Sequence, residues 1–244
     1  MPENSLIPER YHILSGSALK VIALCCMILD HTAMMLIPRD GAVLFQLAGH
    51  MLTLYRAMRL IGRLAFPIFA FLLVEGFIHT HDRRKYGIRL FLFALISEIP
   101  WNLAISGSWH FARQNVFFTL FFGYLGMCFL EQLQKRDNDG EGWKAALLLI
   151  GTMLLSVLCR CDYGIRGFGF ILMMYLLRAR PMERAMLGCC ILPGLWRPGL
   201  SAIPISLYNG ERGFIHGKIL QFLFYAAYPA QFLVLYAIRA SMIG

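Results

Sequence analysis

Apolar runs of about 17 to 25 residues, the length needed to cross a bilayer's hydrocarbon core, recur from Leu19 almost to the end of this chain. No other feature constrains the fold as much. Water is absent from that layer, so every backbone N–H and C=O must be satisfied within the chain, which leaves helices for segments of this kind. With 58% hydrophobic and 15% charged residues, against about 25% charged in ordinary soluble domains, there is more apolar surface than a soluble core of 244 residues buries. The expected fold is all-α: a polytopic integral membrane bundle of about 8–9 transmembrane helices, one domain over 1–244 with a short cytoplasmic segment at 1–16. Spans are expected near 19–37, 58–79, 88–106, 115–133, 144–159, 164–178, 185–196, 198–208 and 218–238, the short seventh and eighth forming one broken or tilted pair. Residues 42–54 are too short to span and are expected to be an interfacial or re-entrant piece; RDNDGEG at 136–142 reads as a polar turn.

A net charge of +9 suggests nucleic acid in a soluble protein, but here it reports topology. With a cytoplasmic N-terminus, the inner segments hold Arg10, Lys20, Arg83, Arg84, Lys85, Arg89, Lys135, Arg136, Lys144, Arg178, Arg180, Arg184, Arg212 and Lys218. The outer ones hold only Arg39, Arg56, Arg113, Arg160, Arg166, Arg197 and Arg239. The expected location is the inner or plasma membrane, with the lipid bilayer as partner and no nucleic acid; the basic skirt also suits a polyphosphorylated cofactor near the inner face. The first segment carries Asp30-His31 and no small-residue cleavage site, so it is expected to remain as span one. Seven cysteines lie mostly in apolar runs without C-x-x-C spacing, which reads as small buried residues and no metal site.

Asp30 and His31 stand about 16 Å into the first span at helical rise, near the bilayer midplane, where ionisable groups are costly and mark sites. Of the acidic residues, Asp30, Glu75 and Glu98 fall inside the spans more than three residues from an end, while Glu131 sits at the inner end of its span. Arg56, Arg59 and Arg63 recur at i, i+3 and i+7 on one face, and Pro67 removes the N–H that would bond the carbonyl of Arg63, predicting a kink there. Glu98 and Asn102 lie one turn apart around Pro100. Helical rise brings Arg63 and Glu98 to similar depth, about 9 Å and about 15 Å in from their respective faces. Adjacent helical residues diverge by about 100°, so Asp30 is expected to pair with Arg63, leaving His31 to be oriented by Glu98 or Asn102. Such pairs also serve as helix glue, and a buried histidine is often only packed. Histidine beside these charges is, however, the natural general base at neutral pH.

The phrases LKVIALCCMILDHTAMMLIP, RLIGRLAFPIFAFLLVEGFIHT, FALISEIPWNLA, QNVFFTL, DYGIRGFGFILMMY, IPISLYNGERG and KILQFLFYAAYPAQFLVLY resemble, in that order, the TraX family over nearly the whole chain. That family takes its name from a member that N-acetylates a conjugative pilin, and it is similar to the wider acyltransferase-3-like group of membrane enzymes. The resemblance implies acetyl-CoA as co-substrate, no metal, and an acceptor that is a pilin-like protein or envelope glycan. It implies His31 as the catalytic residue; Asp30 and Glu98 complete the expected catalytic set on the buried-charge and depth argument above, with Glu98 orienting or charge-balancing the site. It also implies a donor-binding set of Arg59, Arg63, Gln114, Asn115, Arg166, Tyr208 and Asn209, together with Asp162-Tyr163; Asn102 joins that set through its place one turn from Glu98. Asn115 also reads as a helix cap and Tyr208 as an interface anchor. One departure stands out: where relatives often carry YPxH, this chain has Tyr228-Pro229-Ala230-Gln231, and glutamine cannot act as a base. The expected activity is acetyl transfer to an amine or hydroxyl with His31 as general base; the alternative is a proton-coupled carrier using the same buried charges.

Overall fold

A computed structural model describes residues 8–47, 50–107, 113–136, 142–186 and 199–243. Helix α1, Gly16–Leu36, begins where Ser15 caps it by accepting from Ala18 N–H at 3.3 Å. It ends at Ile37, held extended (φ −101°, ψ 125°) ahead of Pro38. The piece expected at 42–54 consists of two antiparallel strands, β1, Val43–Leu47, and β2, His50–Thr53, before α2 begins at Leu54. The β-formers Val43, Phe45 and Thr53 are interspersed with polar Gln46 and His50, and such alternation suits a strand better than a one-sided helix.

Thr53 then caps α2, Leu54–Gly62, by accepting from Arg56 N–H. The second span breaks at Arg63 and Leu64 before resuming as α3, Ala65–His79, as the missing N–H of Pro67 predicts. The carboxyl of Asp82 caps α4, Arg83–Ser106; the ammonium of Lys85, then its backbone N–H, hold that carboxyl below the usual carboxylate range. Pro100 does not interrupt α4, which remains one helix to Gly107 in the left-handed region (φ 62°). Then come α5, Val116–Arg136; α6, Gly142–Leu158; α7, Gly164–Leu176; the short α8, Pro181–Met186, and α9, Ala202–Ser206; and α10, Lys218–Ile243.

Among the described residues, five segments are long and apolar enough to cross a membrane: 16–36, 54–79, 83–106, 116–135 and 218–242. Helix α6 is apolar but shorter. Of the expected seventh and eighth spans, 187–198 lies outside the described residues, as does most of the 136–142 turn, and α9 is five residues long. Large apolar side chains stay exposed along α4 (Ile88, Leu92, Ile96), α6 (Leu147, Leu154, Leu158) and α10 (Phe222, Leu223, Val234). Faces like these belong in lipid rather than water, and the protein is a helical, multi-pass membrane protein.

Consecutive long helices run antiparallel around a core that includes Leu19, Ile68, Phe77, Met127, Phe170 and Phe232. The start of α1 meets the segment after α9, where Gly16 N–H donates to Glu211 O (2.7 Å) and Ser17 Oγ to Arg212 O (2.8 Å). There too α3 ends and α4 and α10 begin, the latter two tied by Arg89 to Gln221 Oε1 at 3.1 Å, while Arg83 ties α4 to Glu131 near the end of α5. This is the basic end, carrying Lys20, Arg83, Arg84, Lys85, Arg89, Lys135, Arg178, Arg180, Arg184, Arg212 and Lys218. The opposite end gathers the finish of α1, the hairpin, α2, and the turns before α5 and α7.

Candidate functional site

Helix α2 lies so close to α1 that a Cβ at Gly62 would stand 2.8 Å from Asp30 Cα and nearer still to its side chain. This contact sets the site's first ion pair: Arg59 Nη1 reaches Asp30 Oδ2 at 2.5 Å with both side chains largely buried. Asp30 therefore pairs with Arg59 and not, as helical spacing predicted, with Arg63. The helix break is the reason, because Arg63 ends α2 and the face shared with Arg59 is not continued past it. Arg63 instead meets the Tyr163 side chain, with Asp162 and Asp30 within electrostatic reach. The ring of Tyr163 is held in place by stacking on Phe66 at 3.7 Å and 9°. Arg56 of the same triplet is exposed.

His31 is only 9% exposed. Its ring lies 4.4 Å from Phe232 and edge-on to Trp101 (6.4 Å) and Tyr228 (6.2 Å), with Gln231 as its polar neighbour. Among the described residues its Nδ1 is buried without a close hydrogen-bond partner, as are the Tyr228 hydroxyl and the Gln231 amide. Neither Glu98 nor Asn102 orients it. Their groups are committed elsewhere: Asn102 Nδ2 donates to Glu98 Oε1 (2.8 Å), while Asn115 N–H (3.2 Å) and Nδ2 (2.6 Å) donate to Glu98 Oε2. Asn115, fully buried, caps α5 by accepting from Phe117 N–H at 2.9 Å. The cap reading of Asn115 holds, and Glu98 fastens α4 to the start of α5. Trp101 is aimed at His31 from the same turn of α4, its Nε1 donating to Arg113 O at 3.2 Å.

Gln114 pairs through its backbone with Arg160 and Asp162, joining the turns before α5 and α7. Beside it a cleft of about 620 Å³ is lined by Arg113, Arg160, Asp162, Tyr163 and Arg166. Arg166 is exposed on that rim. Tyr208 and Asn209 fall at the other end of the molecule: Tyr208 packs edge-on against Phe71 at 5.2 Å, and Asn209 accepts from Glu211 N–H and donates to Leu14 O. They do not join His31. Tyr208 borders a second cavity of about 620 Å³ that starts at Lys20, Arg89 and Arg212 on the basic end and reaches Met27, Phe117 and Tyr228 in the interior.

Sequence reasoning placed Glu75 in a span but missed its partner, the buried Arg184, which donates to Glu75 Oε1 at 2.9 and 3.0 Å and lies over the Phe71 ring. Arg184 looked like loop charge. Gln231 was visible only as a departure from the YPxH pattern, yet that position is the one facing His31.

His31 thus stands between two environments. Toward the end of α1 lie the charges of Asp30, Arg59, Arg63 and Asp162; toward its start lies the cavity floored by Met27 and Tyr228, whose ring is also against His31. Among the described residues no group of acids, histidines and cysteines could hold a metal ion. Comparison with known proteins gives a family model described as TraX protein, matching residues 15–239. The chain is also similar to the probable fimbrial assembly protein FimC, serogroup H1, of Dichelobacter nodosus, with 36% identity over 121 residues, 46% of this chain and 45% of that protein. The chain thus matches less than half the length of that relative. No solved structure matches. The family match takes in α1 with Asp30 and His31, the α2–α3 break with its arginines, and Gln231 on α10, and on that match the chain belongs to the TraX family.

Proposed function

We propose that this protein is a membrane acyltransferase that moves an acetyl group from a coenzyme A thioester to an amine or hydroxyl of an envelope acceptor, a pilin-like or fimbrial subunit or a glycan. The observation that carries the reading is the position of His31, a buried imidazole between a charged cluster open to one end and a cavity open to the other. The name of the fimbrial-assembly relative supports a pilin-type acceptor.

In the proposed reaction His31 takes the proton of the acceptor N–H or O–H as that atom attacks the acyl carbon. The new N–C or O–C bond forms, the C–S bond breaks, and the proton passes from the imidazolium to the departing thiolate, leaving free CoA. Arg59 and Arg63 supply positive charge toward the oxyanion that develops on the acyl oxygen, and Asp30 holds Arg59 in place. Glu98 works through position, fixing the start of α5. The acceptor approaches from the cleft at Arg113, Asp162 and Arg166, and the positive-inside rule makes the basic end cytoplasmic. The further membrane passes of an acyltransferase-3-like bundle would come from α6 and α7.

The test is release of CoA by the purified protein with acetyl-CoA and a pilin-type acceptor. His31→Ala is expected to reduce turnover by about 100-fold or more while the protein stays folded. Unchanged turnover would overturn the assignment. The two cavities on either side of one aromatic layer also favour a carrier as second reading. Proton-coupled solute uptake into proteoliposomes, with no CoA release, would establish it instead.

A further inference from the structure

The arginines first assigned to the donor, Arg59 and Arg63, sit at the opposite end of the molecule from the basic skirt. The structure offers a better fit for a phosphorylated donor. The cavity that begins at the basic end has Lys20, Arg89 and Arg212 at its mouth. Among the described residues none of the three has a carboxylate ion-pair partner: Arg89 donates to Gln221, and Lys20 lies over the Phe224 ring. The one carboxylate in the lining, Glu75, is already engaged by Arg184. The mouth therefore carries unneutralised positive charge over a deep recess, an arrangement that selects an anion with a slender tail. The lining is mixed in character: Gln221, Tyr208 and Tyr225 bring polar groups, Gln221 and Tyr225 beside Arg89 at the mouth, Leu24 and Leu120 bring apolar surface, and Met27, Phe117 and Tyr228 line it toward His31. A lipid acyl chain has no use for the amide and phenols along such a wall; the two amides of a pantetheine arm do. There the buried Tyr228 hydroxyl, beside the backbone of Val116, donates to no acceptor among the described residues, and its ring lies 6.2 Å from that of His31.

We propose that this cavity is the donor site: the phosphates of a coenzyme A thioester rest on Lys20, Arg89 and Arg212, the pantetheine arm descends past Tyr225, and the thioester carbonyl accepts a hydrogen bond from Tyr228 beside His31. This rests on the acyl-transfer reading and specifies it. The roles of the two arginine groups separate: Arg59 and Arg63 act at the reacting end and the basic mouth binds the phosphates. No bond is made or broken at the mouth, and Tyr228 keeps its proton while polarising the carbonyl.

The test is equilibrium binding of radiolabelled CoA to the full chain in nanodiscs of neutral lipid. Lys20→Gln, Arg89→Gln and Arg212→Gln are each expected to raise the Kd about tenfold, and Arg39→Gln, at an exposed arginine of the opposite end, to leave it within twofold. Lys20→Arg, with the charge kept, should bind like the parent, and gel-filtration profiles identify variants that fail to fold. CoA binding that depends on Arg59 and Arg63 and ignores the mouth would overturn the cavity assignment and leave acyl transfer standing. Absence of CoA binding to the parent would overturn both. Phosphatidylglycerol vesicles are the competing arm: retention of anionic lipid by the parent, lost in the same three variants and not displaced by CoA, would assign the cavity to a lipid headgroup and overturn the proposal. Tyr228→Phe should leave CoA affinity unchanged and lower kcat for acetyl transfer; an unchanged kcat would remove the carbonyl contact.

Discussion

Asp30 has one oxygen on Arg59 and the other buried without a partner, so its charge is compensated from a single side. Losing either half of so enclosed a pair leaves an uncompensated charge, and Arg59→Gln is expected to cost about 3 kcal/mol, read as a lower thermal midpoint in detergent. Exchanging the two as Asp30→Arg with Arg59→Asp should restore most of that loss. The same exchange between positions 30 and 63 should restore none, and rescue there would show that Arg63 is the true partner. Glu98 invites a different experiment, because its carboxylate accepts from three amide donors. Glu98→Gln turns an NH2 toward one of them and should cost about 1–3 kcal/mol, with faster hydrogen exchange at Phe117 N–H as the local sign. If Glu98 instead acts in chemistry, turnover would collapse with that amide still protected. The sequence showed that these charges share a depth, since depth follows from helical rise. It did not show which of them touch, because partner choice depends on rotation about the helix axis, and a break at Arg63 resets that rotation.

At the scale of elements, the break between α2 and α3 was legible from Pro67 alone, because a missing N–H at a fixed offset acts whatever surrounds it. The hairpin was not, since thirteen residues of moderate hydrophobicity satisfy several templates and tertiary contacts choose among them. Nor was the closeness of α1 to α2, which depends on Gly62 meeting a neighbour distant in sequence. Gly62→Ala should push α2 off α1 and cost about 1–3 kcal/mol of stability. It should also weaken the Asp30–Arg59 pair, so Arg59→Gln added to Gly62→Ala should cost less than in the parent. Strict additivity would mean that the pair forms without the close approach. Between α5 and α7 the same device recurs, where Gly123 faces Ile171 and Gly126 faces the Phe168 ring, as small residues let membrane helices approach.

For the whole molecule, hydrophobic run length showed a helical membrane bundle, but short or kinked helices blur the count: α7 has 13 residues and α9 five. The antiparallel order of the long helices is firmer. Helix α1 starts at the basic end, α3 ends there and α4 leaves from it, so the turn at 80–82 shares a side with the start of α1. The turn before α7 is tied by Gln114 to the start of α5 at the other end. Exposed His81 and Arg160 therefore belong on opposite faces of the membrane. Single cysteines, His81→Cys and Arg160→Cys in a background whose native cysteines are replaced, should react with an impermeant maleimide from opposite sides of oriented vesicles. The positive-inside rule puts position 81 with the cytoplasm, where a phosphorylated donor is available to the basic cavity, and position 160 outside, where an envelope acceptor meets the cleft. Labelling of both from one side would break the antiparallel order. Labelling from opposite sides with position 81 outward would keep the fold but turn the cavity away from its donor, so this one measurement tests both the bundle and the direction of transfer through it.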